Sequence, residues 1–281
     1  MYQLLSIVEV ACILSFVSMA AVFTFRFAGF PDLSVDGVFA LGAVAFARLV
    51  LAGWNIPLAL LGAVLIGMTI GFTTATISNR LHINPLLASV LVLTMLYSLN
   101  LRILGRANLP VFGVLDSPLA TGTTRLALYI VAAACFWLLC LLFFKTELGT
   151  AIRSTGSARD YLTGIGRNPA LYRLVLVALA GGSVAASGAL LALKFGFADV
   201  SLGMGTIIIG IASLIIGERI CGRDGLLPQL LSALFGISVY QLAVGVAYSL
   251  GISATDVKLG TGIIVIVMIA VSRDERHKLL D

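Results

Sequence analysis

Charge is what this chain of 281 residues has least of. Asp, Glu, Lys and Arg make up 11% of it and apolar residues 60%, whereas a soluble domain carries roughly a quarter charged residues. The balance excludes an ordinary soluble domain and predicts a polytopic membrane protein. Histidine is nearly absent: His82 and His277 are the only two, no His-Glu-x-x-His occurs, and a zinc protease is disfavoured. A Gly-x-x-x-x-Gly-Lys-(Ser/Thr) loop is also missing, so the chain does not hydrolyse nucleotide through a P-loop. Cys12, Cys135, Cys140 and Cys221 lie in apolar runs or at a helix end, with neither metal-ligand spacing nor a disulfide framework, and read as packing residues. Helix interiors hold no Ser–His or paired-Asp constellation, which leaves an intramembrane protease without support. The N-terminus lacks a basic region before its apolar run, and that run is too long for a signal peptide, so it reads as a retained first helix. The net charge of +5 fits cytoplasmic loops of a membrane protein better than a nucleic-acid surface.

What the chain does have is apolar length. A helix crossing about 30 Å of hydrocarbon needs about 20 residues. Nine segments fit, at about 3–25, 34–53, 57–77, 84–101, 125–145, 173–193, 203–219, 226–250 and 259–272. All seven prolines fall at or near the breaks between them, where helices end. Two breaks are long and polar, 102–124 and 146–172. The second, with its flanks, carries Lys145, Arg153, Arg159, Arg167 and Arg173, and the tail carries Arg273, Arg276 and Lys278. With both on the cytoplasmic side, counting back predicts an outward N-terminus and a cytoplasmic C-terminus. Arg102, Arg106 and Arg125 then lie outside, against the trend. Arg48 and Lys194 read as snorkelling side chains, and Glu9 has no evident role.

One short pattern occurs twice. Gly29, Phe30, Asp32 and Ser34 in "GFPDLS" are matched by Gly196, Phe197, Asp199 and Ser201 in "GFADVS". Five predicted helices separate the copies, an odd number, so the second enters the membrane from the opposite side. That is the sequence mark of an inverted repeat, whose substrate route lies beside interrupted helices. Asp32 and Ser34 are good N-caps, and Asp36 falls in the first turn, where a carboxylate suits the helix dipole. Ionisable groups at membrane depth also mark water-filled routes. Caps alone and caps that line a route both fit these residues. Any cargo contact by Asp32, Ser34, Asp36, Asp199 or Ser201 suits hydrogen-bonding or amine-bearing groups better than a carboxylate.

The 146–172 stretch is too polar for the membrane, and "SARDYLTGIG" within it predicts a short helix from Ser157 to Gly164 or Gly166. It reads either as a solvated loop that sets topology or as a contact for a soluble motor. An ion-coupled secondary transporter would also show repeats and intramembrane carboxylates, but would not need such a motor contact.

Four stretches, "GFPDLSVDGVFALGA", "INPLLASVLVLTMLYSLNLRILGRANLP", "AIRSTGSARDYLTGIGRNP" and "GFADVSLGMGTIIIGIASLIIGE", resemble in order and spacing the permeases of bacterial ABC importers. The superfamily is that of branched-chain amino acid and ribose permeases. Within it the chain is most similar to the branch paired with a lipoprotein-type binding protein. The resemblance implies an all-α polytopic fold of type II importer kind, one permease domain over 1–281, in the bacterial inner (plasma) membrane. It implies a homodimer of permease chains on two ATPase subunits, fed by an external substrate-binding protein. Cargo would be a small organic nutrient such as an aromatic or branched-chain amino acid. ATP and Mg would be bound by the partner, with no cofactor in this chain. The 146–172 loop would supply the coupling helix, with Arg153, Ser157, Arg159, Asp160 and Gly164 as contacts.

Overall fold

The structure is a computed structural model and describes residues 2–106, 108–111, 122–156, 163–164, 166, 168–222, 225–251, 256, 259–260 and 262. Its helices start and stop where local chemistry directs. Asn84 and Asn168 each accept the N–H two residues on, at 2.9 and 3.0 Å, and each is followed by a proline at the first helical position. Those caps open α4 (Pro85–Leu104) and α7 (Pro169–Phe195). Before them come α1 (Tyr2–Ala21), continued by a π-helical stretch Val22–Phe27, then α2 (Val35–Leu51) and α3 (Ile56–Leu81). Between α4 and α7 lie β1 (Asn108–Pro110), α5 (Gly122–Lys145) and α6 (Glu147–Arg153). After α7 come β2 (Phe197–Asp199), a 3-10 turn Val200–Gly203, α8 (Thr206–Cys221) and α9 (Leu226–Ser249).

Eight of the nine predicted segments are therefore helical. Among the described residues seven helical stretches are long and apolar enough to cross a membrane, and α2, at 17 residues, is the shorter eighth. Most of the ninth segment, 259–272, and most of the predicted 157–166 helix lie outside the described residues. Ahead of the latter the structure shows α6, capped by Thr146, whose hydroxyl accepts the Gly149 N–H at 3.1 Å.

Helix α7 is the central mast, and small residues let its neighbours close on it. A Cβ at Gly42 of α2 would collide with the Ala185 backbone, and one at Gly188 with the Phe39 carbonyl. Gly67 and Gly71 of α3 meet Gly181 and Val177 of α7 in the same way. The seam is backbone on backbone, the arrangement small residues allow in membranes. Gly217 and Gly236 repeat it between α8 and α9 against Ser232 and Ser213.

Contacts sort the helix ends into two groups. At one end, β1 pairs antiparallel with β2, joining the segments that follow α4 and α7. Arg48, at the end of α2, donates to the Ile103 and Leu104 carbonyls at 2.6 and 2.8 Å, so it caps α4 rather than snorkelling. Lys194 does not snorkel either. Its side chain, 5% exposed, pairs with the equally buried Glu9 and also donates to Ser6, tying the end of α7 to the start of α1. At the opposite end Arg26 pairs with Glu218, joining the end of the π-helical stretch to the end of α8.

Candidate functional site

The two Gly-Phe-x-Asp-x-Ser copies fold alike. Gly29 and Gly196 both take positive φ, +56° and +70°, where a side chain would be strained; Gly196 caps the helix before it, and Gly29 follows the capping Ala28. Asp32 Oδ1 then accepts the Ser34 N–H at 2.9 Å and the Ser34 hydroxyl at 2.6 Å. Asp199 Oδ1 accepts the Ser201 N–H at 2.7 Å and hydroxyl at 2.5 Å. These are Asx turns that satisfy their own backbone. They differ in surroundings. Asp32 is 3% exposed and Ser34 fully buried, whereas Asp199 is half-buried and Ser201 exposed.

Asp36 goes further than its position in the first turn of α2 predicts. Its carboxylate leaves its own helix and caps another. Oδ2 accepts the Gly205 N–H at 2.9 Å, Oδ1 accepts the Ile207 N–H at 2.9 Å, and the Thr206 hydroxyl lies 3.0 Å from Oδ1. The start of α8 carries a partial positive charge from its aligned peptides, which offsets the carboxylate. The approach is close because position 203 is glycine: a Cβ there would overlap the Asp36 carbonyl. Gly203 is aligned with Asp36 in the two copies, so the motifs pack against each other at equivalent points.

The junction lies between the two ends of the bundle. At 1.5 Å per residue α2 and α8, of 17 and 16 residues, reach about 25 Å each, against about 40 Å for the 27-residue α7. Each short helix begins after an irregular stretch, residues 28–34 or 197–205, that completes the crossing. Irregular backbone at such depth must be buried in protein or line water.

Beside Asp36 opens a cavity of about 320 Å³ between the start of α2, the 3-10 turn before α8 and one face of α4. Asp36, Thr94, Tyr97 and Asn100 are its polar side chains, and Leu93 and Met204 are among its apolar walls. Asn100 is 1% exposed. Its Nδ2 donates to the Gly37 carbonyl at 3.2 Å, and its Oδ1 has no hydrogen-bond partner among the described residues. Sequence reading missed Asn100, Tyr97 and Thr94. A lone Asn inside the apolar "LYSLNLRIL" was the available signal, since buried amides in membrane helices serve packing or function. Asp32 and Ser34 do not line this cavity, and neither do Asp199 and Ser201.

The coupling residues are only partly described. Ser157, Arg159 and Asp160 lie outside the described residues, and Gly164 is exposed. Arg153 ends α6 and sets its guanidinium 5.9 Å from the Phe27 ring centroid, within cation–π range. Three residues on, Gly156 packs on the break after α1. A Cβ there would stand 2.9 Å from the Phe27 carbonyl oxygen and 3.2 Å from the Gly29 nitrogen.

Similarity to known proteins extends over nearly the whole chain. Residues 3–272 match a family model described as branched-chain amino acid transport system / permease component. The tyrosine transport system permease protein of Clostridioides difficile (strain R20291) is 34% identical over 274 residues, 96% of this chain and 91% of that one. An uncharacterized protein of Rickettsia prowazekii (strain Madrid E) is 29% identical over 253 residues, covering 88% and 89%. Among solved structures, PsaBC from Streptococcus pneumoniae in complex with Fab has a chain that matches with TM-score 0.58 at 16% identity. That match covers 95% of this chain and 91% of the other. At that identity the likeness is one of fold.

Proposed function

The chain belongs to the family of permease components of branched-chain amino acid transport systems, and from that premise we propose that it carries an amino acid through the membrane as one subunit of an ATP-driven ABC importer. The observation that carries the reading is the Asp36 junction. Two interrupted helices begin there inside the membrane, beside a cavity with polar side chains, which is the layout of a translocation route. An aromatic cargo is favoured by the similarity to the tyrosine permease. The chain works as a homodimer on two ATPase subunits that bind ATP and Mg, fed by an external binding protein. It sits in the inner (plasma) membrane with nine crossings, N-terminus outside and C-terminus cytoplasmic. The repeated motif marks two inverted halves. Contacts support this course: the starts of α1, β1 and β2 share one end, and Gly156 shares the other with Arg26 and Glu218.

The residues then describe a drive train. The ATPase moves the 146–172 loop, gripped at Arg153, Ser157, Arg159, Asp160 and Gly164. Gly156 passes that motion to the break at residues 26–30, and the Asp32–Ser34 turn hands it to α2. Because Asp36 binds the start of α8, displacement of α2 changes the gap at the junction. Asp32, Ser34, Asp199 and Ser201 hold the two irregular stretches in shape beside the route. Switching between outward and inward openings is thus a rigid-body event driven from outside the chain.

The test is purification of the tagged chain from gently solubilised native membranes, with mass spectrometry of what accompanies it and uptake of labelled L-tyrosine by the reconstituted assembly. Recovery of an ATPase subunit with wild type, and its loss in an Arg159→Ala/Asp160→Ala double variant, is the expected result. An ATPase-free chain that transports under an ion gradient overturns the importer reading. ATPase recovery without tyrosine uptake overturns only the cargo.

A further inference from the structure

The two copies of the repeated motif are approached differently. Lys194-Phe195-Gly196-Phe197 leads into the second, and Arg26-Phe27-Ala28-Gly29-Phe30 into the first, which is longer by Ala28. The backbone takes up that residue. The Gly196 N–H donates four residues back, to the Ala192 carbonyl at 2.8 Å, so α7 ends in ordinary α register. The Ala28 N–H donates five back, to the Phe23 carbonyl at 2.9 Å, where the π-helical stretch Val22–Phe27 ends. A turn closed five residues back holds one residue more than an α turn, and such turns are rare and concentrate at functional sites.

Each approach carries a cation that reaches a buried glutamate on another helix. The Lys194 and Glu9 side chains are both 5% exposed, whereas that of Glu218 is 1% exposed and that of Arg26 36%. A pair shut off from water on both sides has nothing to receive either charge if it parts. The Arg26 guanidinium, which donates from Nε and Nη2 to the two Glu218 oxygens, can instead pass to water. Glu218 lies in the last turn of α8, where the helix dipole disfavours a carboxylate and so favours a cation beside it. The main chain at this point also carries the segment that follows α6. A Cβ at Gly156 would stand 2.9 Å from the Phe27 carbonyl oxygen and 3.2 Å from that of Arg26, and Arg153 lies over the Phe27 ring. Two adjacent residues thus hold the ion pair, the irregular register and the contact from the 146–172 stretch.

We infer that Arg26–Glu218 is a releasable latch between α1 and α8, that the π-helical stretch gives it two positions, and that the 146–172 stretch trips it. The Glu9–Lys194 pair at the other end stays shut and acts as the pivot. Return of the stretch to α register turns the residues beyond it by about 100° and shifts them by about 1.5 Å, which swings the guanidinium off the carboxylate. Helix α8, held at its start by Asp36, then loses its tie to α1 at its other end. The inference rests on the importer reading for its motor and names the element that the motor releases.

The experiment uses the assembled transporter, purified with its ATPase subunits, in a chain whose four native cysteines are replaced by alanine. Arg26→Cys/Glu218→Cys is bridged by a bis-methanethiosulfonate, which restores the span of the lost side chains and is removed by reductant. ATP hydrolysis is the readout, because it requires no knowledge of the cargo. The bridge is expected to slow hydrolysis about tenfold or more, with recovery on reduction, since a latch that stays shut stalls the cycle. The same bridge across Glu9→Cys/Lys194→Cys is expected to leave hydrolysis unchanged. Chains with one of the two cysteines, treated alike, subtract any action of the reagent on the ATPase. Full hydrolysis with positions 26 and 218 bridged, or equal stalling by both bridges, overturns the latch. Arg26→Gln, at an exposed position, keeps the test decisive where the double variant fails to fold. It is expected to raise hydrolysis without cargo about threefold, the shift that loss of one partly exposed ion pair gives, and Arg26→Lys to return it toward wild type. Hydrolysis indifferent to Arg26→Gln overturns the latch. Either of these failures with the ATPase recovered overturns this inference alone, and a wild-type chain that brings no ATPase overturns the importer reading.

Discussion

Removing the Asp36 carboxylate should loosen the start of α8, and the size of the effect follows from what it holds. It accepts the N–H groups of Gly205 and Ile207, both at 2.9 Å. The Thr206 hydroxyl keeps the Gly203 carbonyl as a partner, so it adds little to the loss. Each backbone donor left unsatisfied in the interior costs about 1–3 kcal/mol, and a helix cap as a whole about 0.5–2 kcal/mol. Asp36 is half-buried and borders a cavity, so water can replace part of the loss and the lower end applies. Asp36→Ala is then expected to cost about 2–3 kcal/mol. Asp36→Asn keeps one acceptor oxygen but turns an N–H toward a donor and loses the charge that the helix dipole favours, which gives about 1 kcal/mol. At roughly 2 °C per kcal/mol for a chain this long, scanning fluorimetry of the solubilised protein should read drops of about 5 °C and about 2 °C. Asp199→Ala, which opens only its own half-exposed turn, should shift the midpoint by about 1 °C or less. Asp36→Ala melting with wild type would refute the cap, and Asp36→Asn melting below Asp36→Ala would refute the ranking of its causes.

Lys194→Met takes the ammonium from the buried Glu9 carboxylate and should destabilise by up to about 3 kcal/mol, while Glu9→Gln/Lys194→Met should recover part of the loss in the same melting assay. Gly156→Val puts methyl groups where the Phe27 carbonyl and Gly29 nitrogen lie; uptake should fall about tenfold or more, as for a misplaced motor contact, with the ATPase still co-purifying. Gly203→Ala forces α2 and the 3-10 turn apart and should lower both the midpoint, by an overpacking cost of about 1–3 kcal/mol, and uptake. An Asp32→Asn/Asp199→Asn double variant keeps both turns closable and should assemble normally with reduced uptake; unchanged uptake would remove the two carboxylates from the mechanism.

The helices were legible because lipid enforces one rule, about 20 apolar residues between breaks, and Asn-Pro at positions 84–85 and 168–169 marks two starts outright. The repeated motif was legible for a similar reason. Gly29 and Gly196 need left-handed backbone, and the Asp and Ser that follow close a turn within three residues. What Asp36 binds was not legible, because its partners lie 169 to 171 positions away and nothing local distinguishes capping its own helix from capping another. Glu9 and Lys194 failed for the same reason: an ion pair 185 residues apart leaves two isolated charges in the sequence. Asn100 was visible as a polar residue in an apolar run, but its bond to the Gly37 carbonyl and its place beside the cavity depend on how α2 and α4 cross.

The glycine seam between α2, α3 and α7 has a kinematic consequence. Where backbone rests on backbone there is no layer of rotatable side chains to absorb slip, so these three helices turn together as one lever. Helix α4 is held differently: Leu93 and Leu96 side chains pack on Gly37, and the Asn100 amide and Arg48 tie only its last turn and a half. Side-chain packing along its length and polar anchors at one end make a looser joint than the seam. The two walls of the cavity thus differ in stiffness: the α2 wall moves only with its welded neighbours, while the α4 wall meets it through side chains that can turn.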